Sequence, residues 1–198
     1  MKEGRLASQR SIRKFIKLVI GQKVKNELDF LPINILTQDD NNVIWWVPPG
    51  KQRVFFNSGA DKMSNINAEI ELPGLVFALI ESNWYVFAVE GTFRPEPTSK
   101  VFFSPFFNVW DNHQICVGST RVPKNRKKVD QWKAAFFSSA FTHNNYKSKN
   151  SQLTDGRTRA ALWKSLIKTR PGDLTMEVLP PTGLSIATFI KEGSQHAP

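Results

Sequence analysis

Cysteine is nearly absent from this chain: Cys116 is the only one in 198 residues. A single thiol excludes an intramolecular disulfide framework and any zinc site built on paired cysteines, and it fits a reducing compartment. Long apolar runs are missing too. None exceeds six residues, as in Leu75 to Ile80, against the ~20 that a membrane-spanning helix needs. No secretory leader is visible, because Arg10, Arg13, Lys14 and Lys17 interrupt the apolar pattern of the amino end. His113 and Cys116 form an H-x-x-C pair with no second cluster to complete it, so no metal and no cofactor are expected. These absences lead to the expectation of a cytoplasmic protein that does not engage a membrane.

What the chain does have is aromatic bulk and unevenly placed positive charge. Forty per cent of its residues are hydrophobic, with fifteen Phe and six Trp. A chain of this length can remove roughly 70% of its unfolded surface from water, and a single domain over residues 1–198 is expected. The net charge is +10, distributed as +5 over residues 1–30, −4 over 31–120, +11 over 121–170 and −2 over the rest. Two basic blocks around an acidic middle read as solvated helix faces, as docking surfaces for an acidic protein, or as contacts to nucleic acid phosphates.

Ile12, Phe15, Ile16, Val19 and Ile20 fall on one stripe of a helix. Residues 1–29 therefore read as an N-terminal helical segment, with Arg13, Lys14 and Lys17 on an exposed basic face suited to an acidic partner. From Leu31 the period changes. INIL (33–36), VIWWV (43–47), RVFF (53–56), AEIEL (68–72), LVFALI (75–80), WYVFAV (84–89) and KVFFSPFF (100–107) are short β-branched or aromatic runs between turn-forming clusters. They predict an antiparallel meander of about five to seven strands within residues 30–122, with Pro105 limiting the last strand. Trp45 and Trp46 are candidates for partner binding, since alternation can leave a tryptophan exposed as a docking anchor. Residues 123–198 read as helices. One is capped by Asp130 and carries Trp132, Ala135, Phe136 and Phe141. Another is capped by Asp155 and carries Leu162, Trp163, Leu166 and Ile167, and a short one falls in LSIATFI (184–190). The polar stretch 143–156 reads as a flexible loop. This order of elements gives an α+β fold.

Residues 106–118 read FFNVWDNHQICVG. Asn108 stands eight residues before Cys116, with a turn at Asp111-Asn112-His113 between them. Buried lone cysteines are commonly small hydrophobes that fill space. A thiol facing a carboxamide across a turn, however, has the minimal equipment for acyl transfer: a nucleophile, and a donor to the oxyanion that forms on the attacked carbonyl. Asn108 can equally stabilise its own turn. His113 and the basic run from Arg121 to Lys128 can favour a thiolate. His143 is a candidate base for an attacking amine, or a cation serving a helix terminus.

The pattern N-x-x-x-N-x-x-I-C after an aromatic strand resembles the active-site stretch of the ubiquitin-conjugating enzyme (UBC) superfamily, which has the same eight-residue step from the asparagine of H-P-N to the cysteine. In this chain His-Pro is replaced by Phe106-Phe107. His113 stands where glycine is common, a position histidine can take in a left-handed turn, and Lys124 where a tryptophan is usual. LPINIL, VIWWVPPGKQRVFF, IELPGLVFALIESNWYVFAV, SPFFNVWDNHQICVGS and WKAAFFSSAFTH are together similar to prokaryotic family D of that superfamily, the family of the PRTRC-system B proteins. The resemblance implies a UBC-like fold: an N-terminal helix, an antiparallel β-meander, a cysteine-bearing loop and C-terminal helices. It also implies a bacterial pathway in which a ThiF-type activating enzyme delivers a ubiquitin-like protein to Cys116 as a thioester, for transfer to an amine. A JAB-type peptidase is the expected companion, and the N-terminal helix is where such proteins meet the activating enzyme. The alternative is a catalytically inactive UBC-like scaffold, or a basic nucleic-acid-binding module of a plasmid-borne system.

Overall fold

The computed structural model describes residues 31–169 and 172–193. The expected N-terminal helix, with Arg13, Lys14 and Lys17, lies outside the described residues. All that follows belongs to the unit beginning at Pro32.

Seven strands follow one another first: β1 (Ile35–Gln38), β2 (Val43–Val47), β3 (Gly50–Ser58), β4 (Met63–Leu72), β5 (Gly74–Ile80), β6 (Asn83–Val89) and β7 (Lys100–Phe103). Then come helix α1 (Val129–Ser138), strand β8 (Ala140–Phe141), helix α2 (Arg159–Lys168), strands β9 (Gly172–Asp173) and β10 (Pro181–Ser185), and helix α3 (Ile186–Gly193). The fold is α+β. No helix among the described residues is long and apolar enough to cross a membrane.

The expected single meander is in fact two sheets. Six strands are ordered β1-β2-β5-β6-β7-β10 and four are ordered β8-β3-β4-β9. Prolines mark the division: Pro48-Pro49 after β2 and Pro73 before β5 have no N–H for a ladder. The β3–β4 hairpin between them leaves the first sheet, and β2 pairs with β5 instead. The two-residue strands β8 and β9 lie parallel along the hairpin's edges.

Strand β5, GLVFALI, is buried at every position, as a strand must be when both faces of its sheet are covered. Its period of two sorts the side chains. Leu75, Phe77 and Leu79 enter a large core with Trp84, Phe106, Phe136 and Trp163. Val76, Ala78 and Ile80 enter a second cluster with Phe87, Ile186 and Phe189, the last two supplied by α3. Trp45 is fully buried and stacks on Phe77 with centroids 5.3 Å apart. That corrects its reading as a docking anchor: the cross-strand partner and the core leave it no surface. Trp46 is half-buried and packs against the second cluster.

Two helix caps also differ from expectation. Lys128 precedes α1, and Asp130 sits within its first turn. The hydroxyl of Thr158 caps α2 by accepting the Ala161 N–H at 3.1 Å, being nearer the helix start than Asp155, whose carboxylate is 2.7 Å from Arg157. Phe141 lies in β8 beyond the end of α1.

Candidate active site

The chain reaches the thiol through a heavily anchored stretch. After β7 the carbonyl of Pro105 accepts the buried indole N–H of Trp163 at 2.9 Å. The Phe107 carbonyl accepts the Asn145 N–H at 3.1 Å, and the Ser104 hydroxyl lies 3.0 Å from that of Tyr146. Phe106 and Phe107 are both fully buried. Phe106 packs on Phe136 and Phe141, and Phe107 on Phe56. The two residues at the His-Pro positions of the motif thus serve as packing anchors.

From Asn108 the backbone forms a tight hairpin. Trp110 N–H donates to the Gln114 carbonyl at 2.9 Å, His113 N–H to Trp110 at 2.8 Å, and Cys116 N–H to Asn108 at 2.8 Å. His113 takes the left-handed position, φ 68°. The returning strand also pairs with β6: Ile115 N–H donates to Trp84 at 2.6 Å and Val86 N–H to His113 at 3.1 Å, with Tyr85 opposite Gln114. Alternation then sorts the side chains. Val109 and Ile115 are buried, Asn108, Gln114 and Cys116 are half-buried, and Trp110 is exposed. The thiol is free.

The side chain of Asn108, the cross-strand neighbour of Cys116, is itself engaged. Its Nδ2 donates to the Ala140 carbonyl at 2.9 Å. Its Oδ1 accepts the Thr142 N–H at 3.0 Å and the Thr142 hydroxyl at 3.4 Å. That hydroxyl is 2.8 Å from Nδ1 of His143, so the exposed His143 joins the same run of contacts. An amide nitrogen carries two donors, and the bond to Ala140 uses one.

His113 is placed differently. Its ring lies between those of Phe87 and Phe103, at 4.5 and 4.6 Å, with Nδ1 unpartnered. Burial pulls its pKa down to about 4 against the opposing effect of Asp111. The ring is neutral at neutral pH, so the expectation that it supplies positive charge to the thiol is corrected.

Two residues that sequence reasoning passed over help to shape the site. Asp111 accepts the Lys147 N–H at 2.9 Å and the Ser148 N–H at 3.0 Å, tying stretch 143–156 to the hairpin turn. Burial works to raise its pKa, but these bonds and the charge of Arg159 hold it below the usual carboxylate value. Asn145 and Tyr146 are buried within the same stretch, and the guanidinium of Arg159 lies 3.6 Å over the Tyr146 ring. The polar loop is therefore anchored. Asp111 gave only a turn-former's signal. The second residue, Asn83, accepts the Gln114 Nε2–H at 3.0 Å and offered no signal beyond its hairpin turn. Among the described residues, no group of three or more His, Cys, Asp or Glu is arranged to hold a metal.

The family described as prokaryotic E2 family D matches residues 11–182. No curated protein and no solved structure matches the chain.

Proposed function

Because the chain belongs to prokaryotic E2 family D and has the UBC-like fold, we propose that Cys116 accepts the carboxyl end of a ubiquitin-like protein and passes it to an amine. One observation carries this reading. The chain's only cysteine is free and half-buried, on the solvent-facing side of a hairpin, in cross-strand register with Asn108.

In the first step the Cys116 sulfur, as thiolate, attacks the thioester held by a ThiF-type activating enzyme. A new C–S bond forms and the activating enzyme's thiolate leaves. In the second step a neutral amine adds to the Cys116 thioester, the C–N bond forms, the oxyanion collapses, and Cys116 leaves as thiolate while the amine's proton passes to a base. The Asn108 N–H not used by Ala140 is the proposed donor to that oxyanion. Its bonds to Ala140 and Thr142 hold the carboxamide in one orientation, which is what makes such a donor effective. His143, with Nδ1 at Thr142 and its second nitrogen remaining, is the proposed base. A JAB-type peptidase would reverse the modification. The proposed setting is the bacterial cytoplasm, within a plasmid-borne PRTRC system.

Nucleic acid binding through the 121–170 block is less well supported. Trp132 and Trp163, the tryptophans interleaved with its basic residues, are 7% and 0% exposed. They belong to the core and offer no stacking platform for bases.

The test is incubation with ATP, the cognate activating enzyme and the ubiquitin-like protein. A thiol-reducible adduct should form on the wild-type protein, while Cys116→Ser should give at most a reductant-resistant ester. Asn108→Ala should slow transfer to an amine by ~10²–10³ and slow loading less. No adduct under any condition removes the claim.

A further inference from the structure

The outer edge of β1 is closed by a side chain: the carbonyls of Ile33 and Ile35 accept the Arg94 guanidinium at 3.2 and 2.8 Å. The edge of β4 is left open. β4 is the longest strand among the described residues, at ten residues, and β3 pairs with one side of it almost throughout. On the other side β9 covers only Ile70 and Glu71. The Glu71 carbonyl accepts the Leu174 N–H at 3.0 Å, so the backbone polar groups of Glu71 point away from β3. The register with β3 runs unbroken from Leu72 to Ile66, and alternation directs the same groups of Glu69 and Asn67 outward as well. β9 begins at Gly172, opposite Ile70. Asn67 and the N–H of Glu69 therefore meet no strand among the described residues. An edge of this kind is a template for a further strand.

A groove of about 660 Å³ lies beside it, lined by the consecutive residues Asn67 to Ile70 of β4. A hollow over one face of a strand would take alternate residues, so a consecutive run means that the groove follows the edge. Its core-side wall is apolar: Ala68, whose small side chain leaves room, with Leu166 and Ile167 of α2. Its outer rim carries Glu69 and the cross-strand partner Arg53, both exposed. We propose that this edge receives an extended segment of a protein partner as an added strand, alternating apolar and polar residues, with a basic side chain beside Glu69. The segment's backbone takes the open groups of Asn67 and Glu69. Its apolar side chains seat on Ala68, Leu166 and Ile167, and its basic residue continues the charge alternation of Arg53 and Glu69, since opposite charges on neighbouring strands attract. β9 argues for a strand over a compact ligand, because it already lies along this edge as a two-residue strand. The site is separate from Cys116: Asn108 meets the sheet at Ala140 of β8, and β3 lies between β8 and β4. The inference therefore does not depend on the thioester reading.

The test uses blocked synthetic peptides in which valine alternates with threonine and the central threonine is replaced by lysine. A glutamate-centred version and a version N-methylated throughout serve as comparisons. In NMR titrations of the 198-residue protein, the lysine peptide should shift the backbone amide signals of Asn67 and Glu69 and slow their hydrogen exchange. The glutamate peptide should bind about fivefold more weakly, and Glu69→Lys should reverse that preference. Asn67→Pro should abolish binding. The Asn67 N–H faces away from β3, so this substitution removes a donor to the partner and none to the hairpin. No shift at millimolar peptide overturns the inference, and so does equal affinity for the lysine and glutamate peptides. Binding that survives N-methylation also overturns it, since the groove would then hold apolar side chains without strand pairing. Sedimentation showing a dimer that Asn67→Pro makes monomeric would give the edge to a second copy of this chain and overturn the partner segment.

Discussion

Val109 and Ile115 point into the aromatic core, whereas Asn108, Trp110, Gln114 and Cys116, alternating with them on the same hairpin, meet solvent. The first face carries no chemistry and the second contributes little burial. The contrast shows how a thiol can be both accessible and fixed. An isolated two-stranded hairpin is marginal in water, so the position of the open face is set by what the closed face packs against. Ile115 is held twice, by its backbone bond to Trp84 and by burial at 6% exposure. Ile115→Ala should therefore be the most damaging change in the hairpin, costing about 2–5 kcal/mol of stability by the usual cost of a core cavity. Chemical denaturation of the purified protein measures it. A cost under about 1 kcal/mol would break the comparison, since the closed face would then not be what holds the hairpin.

His113 sits at the hairpin's turn and tests the same contrast by pH. Its ring belongs to the closed side, between Phe87 and Phe103, and burial pulls its pKa from 6.5 to about 4. Below pH 6.5 the unfolded chain binds a proton here that the folded chain refuses until about pH 4. Stability from this group is complete above pH 6.5, falls as the pH drops through that window, and is level below it. The full loss is about 3 kcal/mol, with about 2 kcal/mol of it between pH 6.5 and 5. His113→Asn keeps a residue that tolerates the left-handed position and removes the titration. Denaturation curves at pH 7.5 and 5 should show the wild-type protein losing more stability than the variant by about that 2 kcal/mol. Equal losses would place the imidazole on the solvated side.

Much of the closed side was legible in the sequence, because period-two alternation and aromatic bulk report burial directly. VIWWV is β2 without adjustment, and LVFALI and WYVFAV are β5 and β6 to within one residue at the amino end. The turn at Asp111-Asn112-His113 followed from the residue types, whereas the left-handed backbone at His113 was implied by the resemblance, histidine standing where glycine is common. The division into two sheets was not read, since alternation does not say which strands pair across Pro48-Pro49 and Pro73, and the edge strands β8 and β9 are two residues long and too short to show a period. Alternation says that Trp45 and Trp46 face opposite ways but not which face is covered, and it is Trp45 that the large core buries completely, while Trp46 stays half-buried. The site's contacts were hidden for another reason. Asn108 meets Ala140 and Thr142, 32 and 34 residues away, and Asp111 meets Lys147 and Ser148 across a similar span. Such pairings depend on how α1 returns the chain to the hairpin, and no local pattern encodes that.

The smallest effect on stability is expected at the residue that matters most for the proposed chemistry. Cys116 makes its hydrogen bond to Asn108 through the backbone N–H, which Cys116→Ser retains. The exchange of sulfur for oxygen takes place at a half-buried position, where substitutions outside the core usually shift stability by less than about 0.5 kcal/mol. Denaturation midpoints of wild type and Cys116→Ser should nearly coincide, while the thiol-reducible adduct disappears entirely. A loss above about 2 kcal/mol would mean that the thiol fills space as a buried hydrophobe does. The open face would then be closed at its most important point, and the contrast between the hairpin's two faces would no longer separate stability from function.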